Sequence, residues 1–454
     1  MGTIGINFGA ATSGAGFDVA GTVTSILSIA SAVETPWKAQ LTSLKAADTA
    51  LSGLGTNLSS LSTAMSSLTA FDGVLAQKQG ASSNTNVLSL SAATSSAISG
   101  SHTITVTQLA QTSSQYSGQV ATASDTLSGS LTFGSGTSAR TLTINSTDNT
   151  LTTLAASINA GAYGVSASVI ASATGSRLSL VSQTSGAAGQ INLTPSLTDA
   201  TTGASLAFTV GQTGQNANFN IDGVASTSAS NTVTGAIPGV TFQLLATAPG
   251  STVQVQITND NAAIETAMQS VVTAYNAVAV AIKLQEGTTS TGAAEPLYGS
   301  PTLGQLQTQL SGSLFGGTAS GAIKDISQLG LTLNQDGTMA LNVSTLDSVL
   351  NSNFADATGF LQNSGSFGQT FSNMLNSLGS SSPTGAISLA LAENGTQETG
   401  INANITTEDA RIATQKTLLT VELTTANQIL QSIPQQLNAQ TQIYNAITGY
   451  KGGN

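Results

Sequence analysis

The sequence contains no cysteine and a single histidine, His102, and this removes several kinds of chemistry at once. Without cysteine the chain has no disulfides, no thiolate metal ligands and no cysteine nucleophile. A histidine-based metal site needs more ligands of the same kind, and a Ser-His-Asp triad would have to use His102 as its only base. We therefore interpret His102 as a structural residue, predict no metal or cofactor, and expect the protein not to be an enzyme.

Charged side chains are also scarce: they make up 7% of the sequence, and the net charge is −11. The ten Lys and Arg residues are spread singly from Lys38 to Lys451. Binding to nucleic acid or to anionic lipid needs several cations on one face, so neither is an expected partner. The longest strongly apolar stretch, 271–282, is too short to cross a bilayer, and no basic segment typical of a signal peptide precedes Lys38. We expect no membrane insertion and no cleaved signal peptide.

Apolar residues repeat every seven positions near both ends of the chain. Two such series side by side form the seam of a long helix that packs against other helices. Pro36 is expected to kink or divide the first helix, and Pro434 to kink or end a segment of the last one. The seam positions that we expect to make contacts are Val23, Ile26, Val33, Trp37, Leu44, Leu51, Leu54, Leu58 and Leu61 near the start, and Ile405, Ile412, Leu419, Leu423, Leu430, Ile433 and Leu437 near the end.

Between the two helical regions the apolar period changes to two, which is typical of half-buried strands. Residues 88–94 and 102–110 alternate clearly, and a single short helix is predicted at 151–160. Further on, 329–343 contains two alternating runs joined at an Asp-Gly pair, which indicates a β-hairpin. A short helix follows it, with Ser344 as the expected N-cap.

These patterns predict an α+β multidomain protein. Long terminal helices form a coiled-coil-like, helical-bundle stalk, and two antiparallel β-rich modules are inserted between them. The Gly-rich residues 1–17 are expected to be mobile in the monomer. The predicted domains are a terminal helical domain (1–48 and 395–454), a helical stalk domain (49–86 and 260–394), a β domain (87–130 and 208–259) and an inserted outer β module (131–207).

Several local motifs occur in an order that is known from one protein family. They are ETPW at 34–37, ISGSHTITVTQLAQTSSQ at 98–115, an Asp-Gly turn followed by a Gly-Val-Thr strand within 219–260, and LGLTLNQDGTMALNVSTLDSVL at 329–350. In these segments the chain resembles the bacterial flagellar filament-capping proteins, the hook-associated protein 2 family. The stretch 141–193, centred on Ile158-Asn159-Ala160, is similar to the "IN" insert of flagellins and hook-associated proteins.

The resemblance implies a structural protein at the distal tip of the flagellar filament. It implies a ring of identical subunits, with a pentamer expected, whose helical domains face the filament and whose ring helps flagellin fold and insert and prevents its loss. The implied partners are further copies of the chain, flagellin, hook–filament junction proteins and an export chaperone. Export would follow the flagellar type III pathway to the outside of the cell, without a cleaved signal peptide.

Two alternatives stay open at this point. Flagellin and the hook–filament junction proteins share terminal heptads and the IN insert, although Gln108-Leu109-Ala110 and the 329–338 segment favour the cap. A surface adhesin that binds host glycans through the β modules is the alternative from a different class of protein. From the pattern alone, the terminal seams are equally compatible with an intramolecular core and with assembly between molecules.

Overall fold

The computed structural model describes residues 15–134, 136–379 and 382–449, and within them the chain forms two compact units. A helical unit contains the chain up to Thr69 and from Glu265 onward, and a β unit contains Ala70–Ile264. The predicted α+β class, with terminal helices flanking antiparallel sheets, is confirmed. The finer division into four domains remains a prediction, and the mobility expected of residues 1–17 falls almost wholly outside the described residues.

The described helices occur at both ends of the chain and after the strands, with one short helix among the strands. They are α1 (Val19–Ser31), α2 (Glu34–Thr69), α3 (Leu151–Ala160), α4 (Asn261–Gln285), α5 (Pro301–Ser313), α6 (Val343–Ser352), α7 (Phe354–Gln362), α8 (Phe367–Leu378) and α9 (Ala386–Thr448).

The prolines and caps decide where several helices begin. The first helical segment is divided between α1 and α2, and Pro36 lies in the first turn of α2, where its missing N–H breaks no helical hydrogen bond. Pro434 does not end a segment as the prediction allowed, because α9 runs through it for 63 residues. The N-cap of α6 is Asn342 and not Ser344, since the Asn342 side chain accepts a hydrogen bond from Thr345 N at 3.1 Å.

The core of the helical unit is built on one face of α2 and the facing side of α4. Met65 and Leu68 of α2 share a small apolar cavity with Met268, Val271 and Tyr275 of α4. Among the described residues, α4 is the one helix that is long and apolar enough to cross a membrane, which the 271–282 stretch alone did not suggest. Met268, Val271 and Tyr275 are buried as in a core helix, whereas Val280 and Leu284 near the end of α4 are exposed.

The predicted hairpin is present as β16 (Leu331–Leu333) and β17 (Met339–Leu341), joined through a turn in which Gly337 has φ +84°. Asn276 of α4 fastens this hairpin to the helix. Its Nδ2 donates to Met339 O at 2.9 Å, and its Oδ1 accepts from Met339 N at 2.6 Å. A side-chain amide thus pairs with the strand as a neighbouring strand would.

The β unit contains two antiparallel modules, each with its own hydrophobic core, and this confirms the predicted pair. Alternating burial along the strands places one face of each sheet in a core, as in β11, where Ala217, Phe219 and Ile221 are buried. The strands are β1 (Lys78–Ser82), β2 (Leu88–Ala93), β3 (Gly100–Gln108), β4 (Thr112–Ser117), β5 (Leu127–Phe133), β6 (Arg140–Thr143), β7 (Val165–Ser172), β8 (Gly175–Ser185), β9 (Leu193–Asp199), β10 (Phe208–Gln212), β11 (Ala217–Ile221), β12 (Val224–Ser228), β13 (Thr232–Ile237), β14 (Val240–Leu244) and β15 (Val253–Asn259).

The first module pairs a sheet of order β1-β15-β3-β11-β12 with a sheet of order β13-β14-β2. The second combines β10-β4-β8-β7 and β6-β5-β9 with α3. Its core includes Val120 and Leu127, which lie before the range 131–207 predicted for the inserted module. β4 also belongs to this second module, because it pairs with β8 and β10.

In two sequence motifs of the β unit, a polar side chain forms hydrogen bonds with a distant part of the chain. In the Gln108-Leu109-Ala110 motif, Ala110 N donates to Asn231 Oδ1 at 2.7 Å and Asn231 Nδ2 donates to Ala110 O at 3.0 Å. His102, in the same strand motif, has Nδ1 at 2.7 Å from Asp222 Oδ2, and Asp222 also accepts from Thr103 N at 2.7 Å. The two contacts of Asp222 connect β3 to the β11–β12 turn.

Candidate assembly surface

The two ends of the chain form an antiparallel helical hairpin, with α1 and the first half of α2 packed along α9. At its far end Phe17 N donates to Asn427 Oδ1 at 2.8 Å. Towards the core of the unit, Asn394 Nδ2 donates to Asp48 Oδ1 at 2.6 Å. Since later residues of α1 and α2 contact earlier residues of α9, the two helical arms of the hairpin run in opposite directions.

Within this hairpin Glu34 occupies an unusual position at the start of α2, where its side chain is buried. Glu34 Oε2 accepts from Lys38 Nζ at 2.7 Å, and this hydrogen bond raises the pKa of Lys38, with a smaller contribution from Asp409 of α9. Glu34 Oε1 is buried, and none of the residues that the structure describes offers it a hydrogen bond. Burying a carboxylate oxygen that lacks a hydrogen bond costs free energy. The positive end of the α2 dipole offsets part of that cost.

The structure places the predicted seam residues in three environments. Fully buried are Val23, Leu51, Leu54, Leu58 and Leu61. Half-buried are Ile26, Trp37, Leu44, Ile405, Ile412, Leu419, Leu423, Leu430 and Ile433. Exposed are Val33 and Leu437.

Most of the predicted seam therefore faces the chain's own helices. The α9 positions lie along the side that packs on α1 and α2, and Leu51 to Leu61 lie in the core of the helical unit. A fully buried side chain can reach another molecule only if the unit opens. A role of these residues in contacts with flagellin or with a second copy remains a prediction.

A second apolar row on α9 is open to solvent, and the sequence analysis did not identify it. Leu418, Val421 and Ile429 are 58%, 63% and 58% exposed. At about 100° per residue they lie on a side of the helix roughly a third of a turn away from Leu419 and Leu423. The adjacent Leu418 and Leu419 are the sequence signal for this second row, because neighbouring residues of a helix point about 100° apart and so reach different sides of α9.

The open row continues towards the end of α9 with Ile443, Tyr444 and Ile447, all exposed, and the α1–α2 junction adds Ile29 and Val33. Burying an aliphatic side chain contributes about 1.5–3 kcal/mol when it is complete. Three residues that are already partly covered would together contribute roughly 3–6 kcal/mol. This is the size of a weak contact that becomes effective when it is repeated between several copies.

The described residues offer no comparable chemical site. No group of three or more His, Asp or Glu among them could hold a metal ion. The one histidine is engaged with Asp222. The arrangement of the helical unit can support packing between helices, and we find no constellation in the described part of the chain for bond-making chemistry.

Comparison with known proteins gives matches over most of the chain. Residues 214–445 match the family described as flagellar hook-associated protein 2 C-terminus, and residues 15–113 match the family described as flagellar hook-associated protein 2 N-terminus. The crystal structure of the D1-D2-D3 domains of the flagellar cap protein FliD from Escherichia coli is similar, with a TM-score of 0.60 and 26% identity, over 76% of this chain and 99% of that one.

Two curated relatives come from Pseudomonas aeruginosa. The B-type flagellar hook-associated protein 2 is 25% identical over 151 residues, which is 32% of this chain and 32% of the relative. The A-type protein is 27% identical over 168 residues, or 36% of this chain and 35% of the relative. The aligned part thus spans about a third of the length of each relative. Because the C-terminal family match alone extends over about half of the sequence, the chain belongs to the flagellar hook-associated protein 2 family.

Proposed function

We propose that this protein caps the distal end of the flagellar filament as a homo-oligomeric ring that promotes flagellin folding and insertion and prevents flagellin loss. The observation that carries the proposal is the open row of Leu418, Val421 and Ile429 on α9 in a chain of the hook-associated protein 2 family. An uncharged aliphatic row on a long helix suits contact with another helix. The helical unit is the part that we expect to face the filament.

The proposed partners are further copies of the chain in a pentameric ring, flagellin, hook–filament junction proteins and an export chaperone. The proposed location is outside the cell at the tip of the flagellum, reached through the flagellar type III pathway. Both family matches are to hook-associated protein 2, which supports the cap over the flagellin alternative. No observation on the β modules specifically favours the adhesin alternative.

The test is deletion of the gene in its own host, followed by complementation. We expect deletion to give cells with hooks but without filaments, and abundant monomeric flagellin in the medium. The wild-type gene should restore filaments, whereas the double variant Leu418→Ser/Val421→Ser should not. Leu389→Ser is the matched control, because Leu389 is also an aliphatic residue of α9 and is 56% exposed, but it lies about 43 Å before Leu418 along the helix.

The outcomes separate the parts of the proposal. Normal filaments after deletion would refute the capping function as a whole. Full complementation by Leu418→Ser/Val421→Ser would leave capping standing but reject the row as its contact surface. Circular dichroism of the purified variants checks that the exposed substitutions leave the fold unchanged, as expected for surface positions.

A further inference from the structure

Asn159, at the centre of the IN insert, forms hydrogen bonds with the backbone at the edge of a sheet. β7 is an outer strand of the β10-β4-β8-β7 sheet. Asn159 of α3 donates from Nδ2 to Ala167 O at 2.8 Å and accepts from Ala167 N at 2.7 Å. The amide therefore fills the place that a further strand would take beside Ala167.

The rest of this edge is open. β7 and β8 are antiparallel, with Ser172 opposite Gly175 at the hairpin. In such a pair the backbone N–H and C=O groups of every second residue bond to the neighbouring strand, and those of the residues between them point away from it. The backbone groups of Ala167 point away from β8, because they bond to Asn159. The backbone groups of Val169 and Ala171, two and four residues further on, therefore point away from β8 too. Within the described part of the chain, the outward N–H and C=O groups of Val169 and Ala171 have no hydrogen-bond partner.

This open segment, 168–172, also lacks the features that usually protect a sheet edge. Its sequence, SVIAS, contains no charge and no proline. Ile170 lies at its centre and is 55% exposed. Two other edge strands of the β unit carry a cation, since β1 begins with Lys78 and β6 begins with Arg140, whereas β2, β10, β12 and β13 contain no charged residue.

We propose that segment 168–172 pairs antiparallel with the same segment of a second copy of the chain, around a two-fold axis through Ile170. The outward groups are self-complementary in this register, because Val169 of each copy lies opposite Ala171 of the other and both pairs exchange N–H to C=O hydrogen bonds. The two Ile170 side chains then meet on the same face as a cross-strand pair. A second copy is the occupant that this symmetry favours.

Asn159 and the end of β7 together limit the length of the contact. Asn159 occupies the outward groups of Ala167, and in this register Ala167 lies opposite residue 173 of the other copy, which follows the end of β7 at Ser172. The interface is consequently short and the dimer weak, and a high local concentration of copies is needed to populate it. The proposal concerns the β unit and does not depend on the capping function.

Disulfide trapping tests the register directly, since the chain has no cysteine of its own. In the full-length protein, Ile170→Cys places two thiols across a non-hydrogen-bonded pair with Cα atoms about 4.5 Å apart, within disulfide range. Ser166→Cys is the matched control: Ser166 is exposed on the same strand, but in this register the two copies of residue 166 lie about 26 Å apart.

Under mild oxidation, Ile170→Cys should give at least about tenfold more covalent dimer than Ser166→Cys, as the difference in distance requires. Equal cross-linking of the two variants would indicate random collision and overturn the proposal. Adding Val169→Pro to Ile170→Cys removes one outward N–H and should abolish the excess of dimer. Persistence of the excess with Val169→Pro would also reject the pairing.

Discussion

Replacing Asn276 with alanine should strongly destabilise the helical unit. The substitution removes both hydrogen bonds to the backbone of Met339, a buried residue, so that one N–H and one C=O lose their partner. An unsatisfied buried polar group costs about 1–3 kcal/mol, and two of them give roughly 2–6 kcal/mol. With a urea m-value of about 3 kcal/mol/M, the unfolding midpoint should fall by roughly 0.7–2 M.

Urea denaturation followed by the fluorescence of Trp37 measures this loss, because Trp37 is the sole tryptophan and belongs to the helical unit. Asn57→Ala is the control: Asn57 makes one long contact of 3.5 Å to Ala277 O, and its loss should cost less than about 0.5 kcal/mol. Asn276→Asp keeps the volume and one acceptor but turns an oxygen towards Met339 O, so it should be destabilised as well. An unchanged midpoint for Asn276→Ala would refute the reasoning, and a wild-type midpoint for Asn276→Asp would assign the loss to packing alone.

Two further predictions concern the β unit. Hydrogen bonds from Thr103 N–H and from His102 lower the pKa of Asp222. The ionised carboxylate therefore stabilises the folded unit at pH values above the ordinary Asp pKa of about 3.9, and this stabilisation is lost as the pH falls through the lowered pKa. Asp222→Asn should therefore lower the melting temperature at pH 7 and reduce its fall below about pH 4 in scans at successive pH values; parallel curves for both proteins would contradict this. Gly129→Ala should lower the free energy of unfolding by more than about 3 kcal/mol in chemical denaturation, because φ is +113° and a Cβ would lie 1.8 Å from Ser196 O. Gly203→Ala is the control: φ is +72° but the space around it is open, so the loss should be about 1 kcal/mol. Equal losses would show that the backbone angle alone, and not the close contact, determines the destabilisation.

Asparagine replaces charge as the means of fixing strands in this chain. Asn159, Asn231 and Asn276 each form a two-way amide pair with one backbone residue, in three different places. An uncharged amide satisfies a donor and an acceptor together and costs less to desolvate than a carboxylate. A protein with 7% charged residues can in this way hold its strands without buried ion pairs.

The repeat patterns predicted the elements well but could not predict what covers them. A seven-residue period locates an apolar stripe on a helix, and α2 and α9 are helices as expected. Whether Leu419 or its neighbour Leu418 faces a partner depends on where the next helix lies. In the structure Leu419 is half-buried and Leu418 is exposed, which moves the candidate contact surface to a row that the period did not identify.

The sequence by itself determined the order of helices and strands, the two β modules, the hairpin around Asp336-Gly337 and the family, because these depend on local period, turn chemistry and motif order. Only the tertiary structure decided which apolar row of α9 stays open, that the side chain of Glu34 is buried, and that Asn276 binds Met339, 63 residues further along the chain. Such contacts join segments that are distant in sequence, and no local pattern records which segments folding brings together.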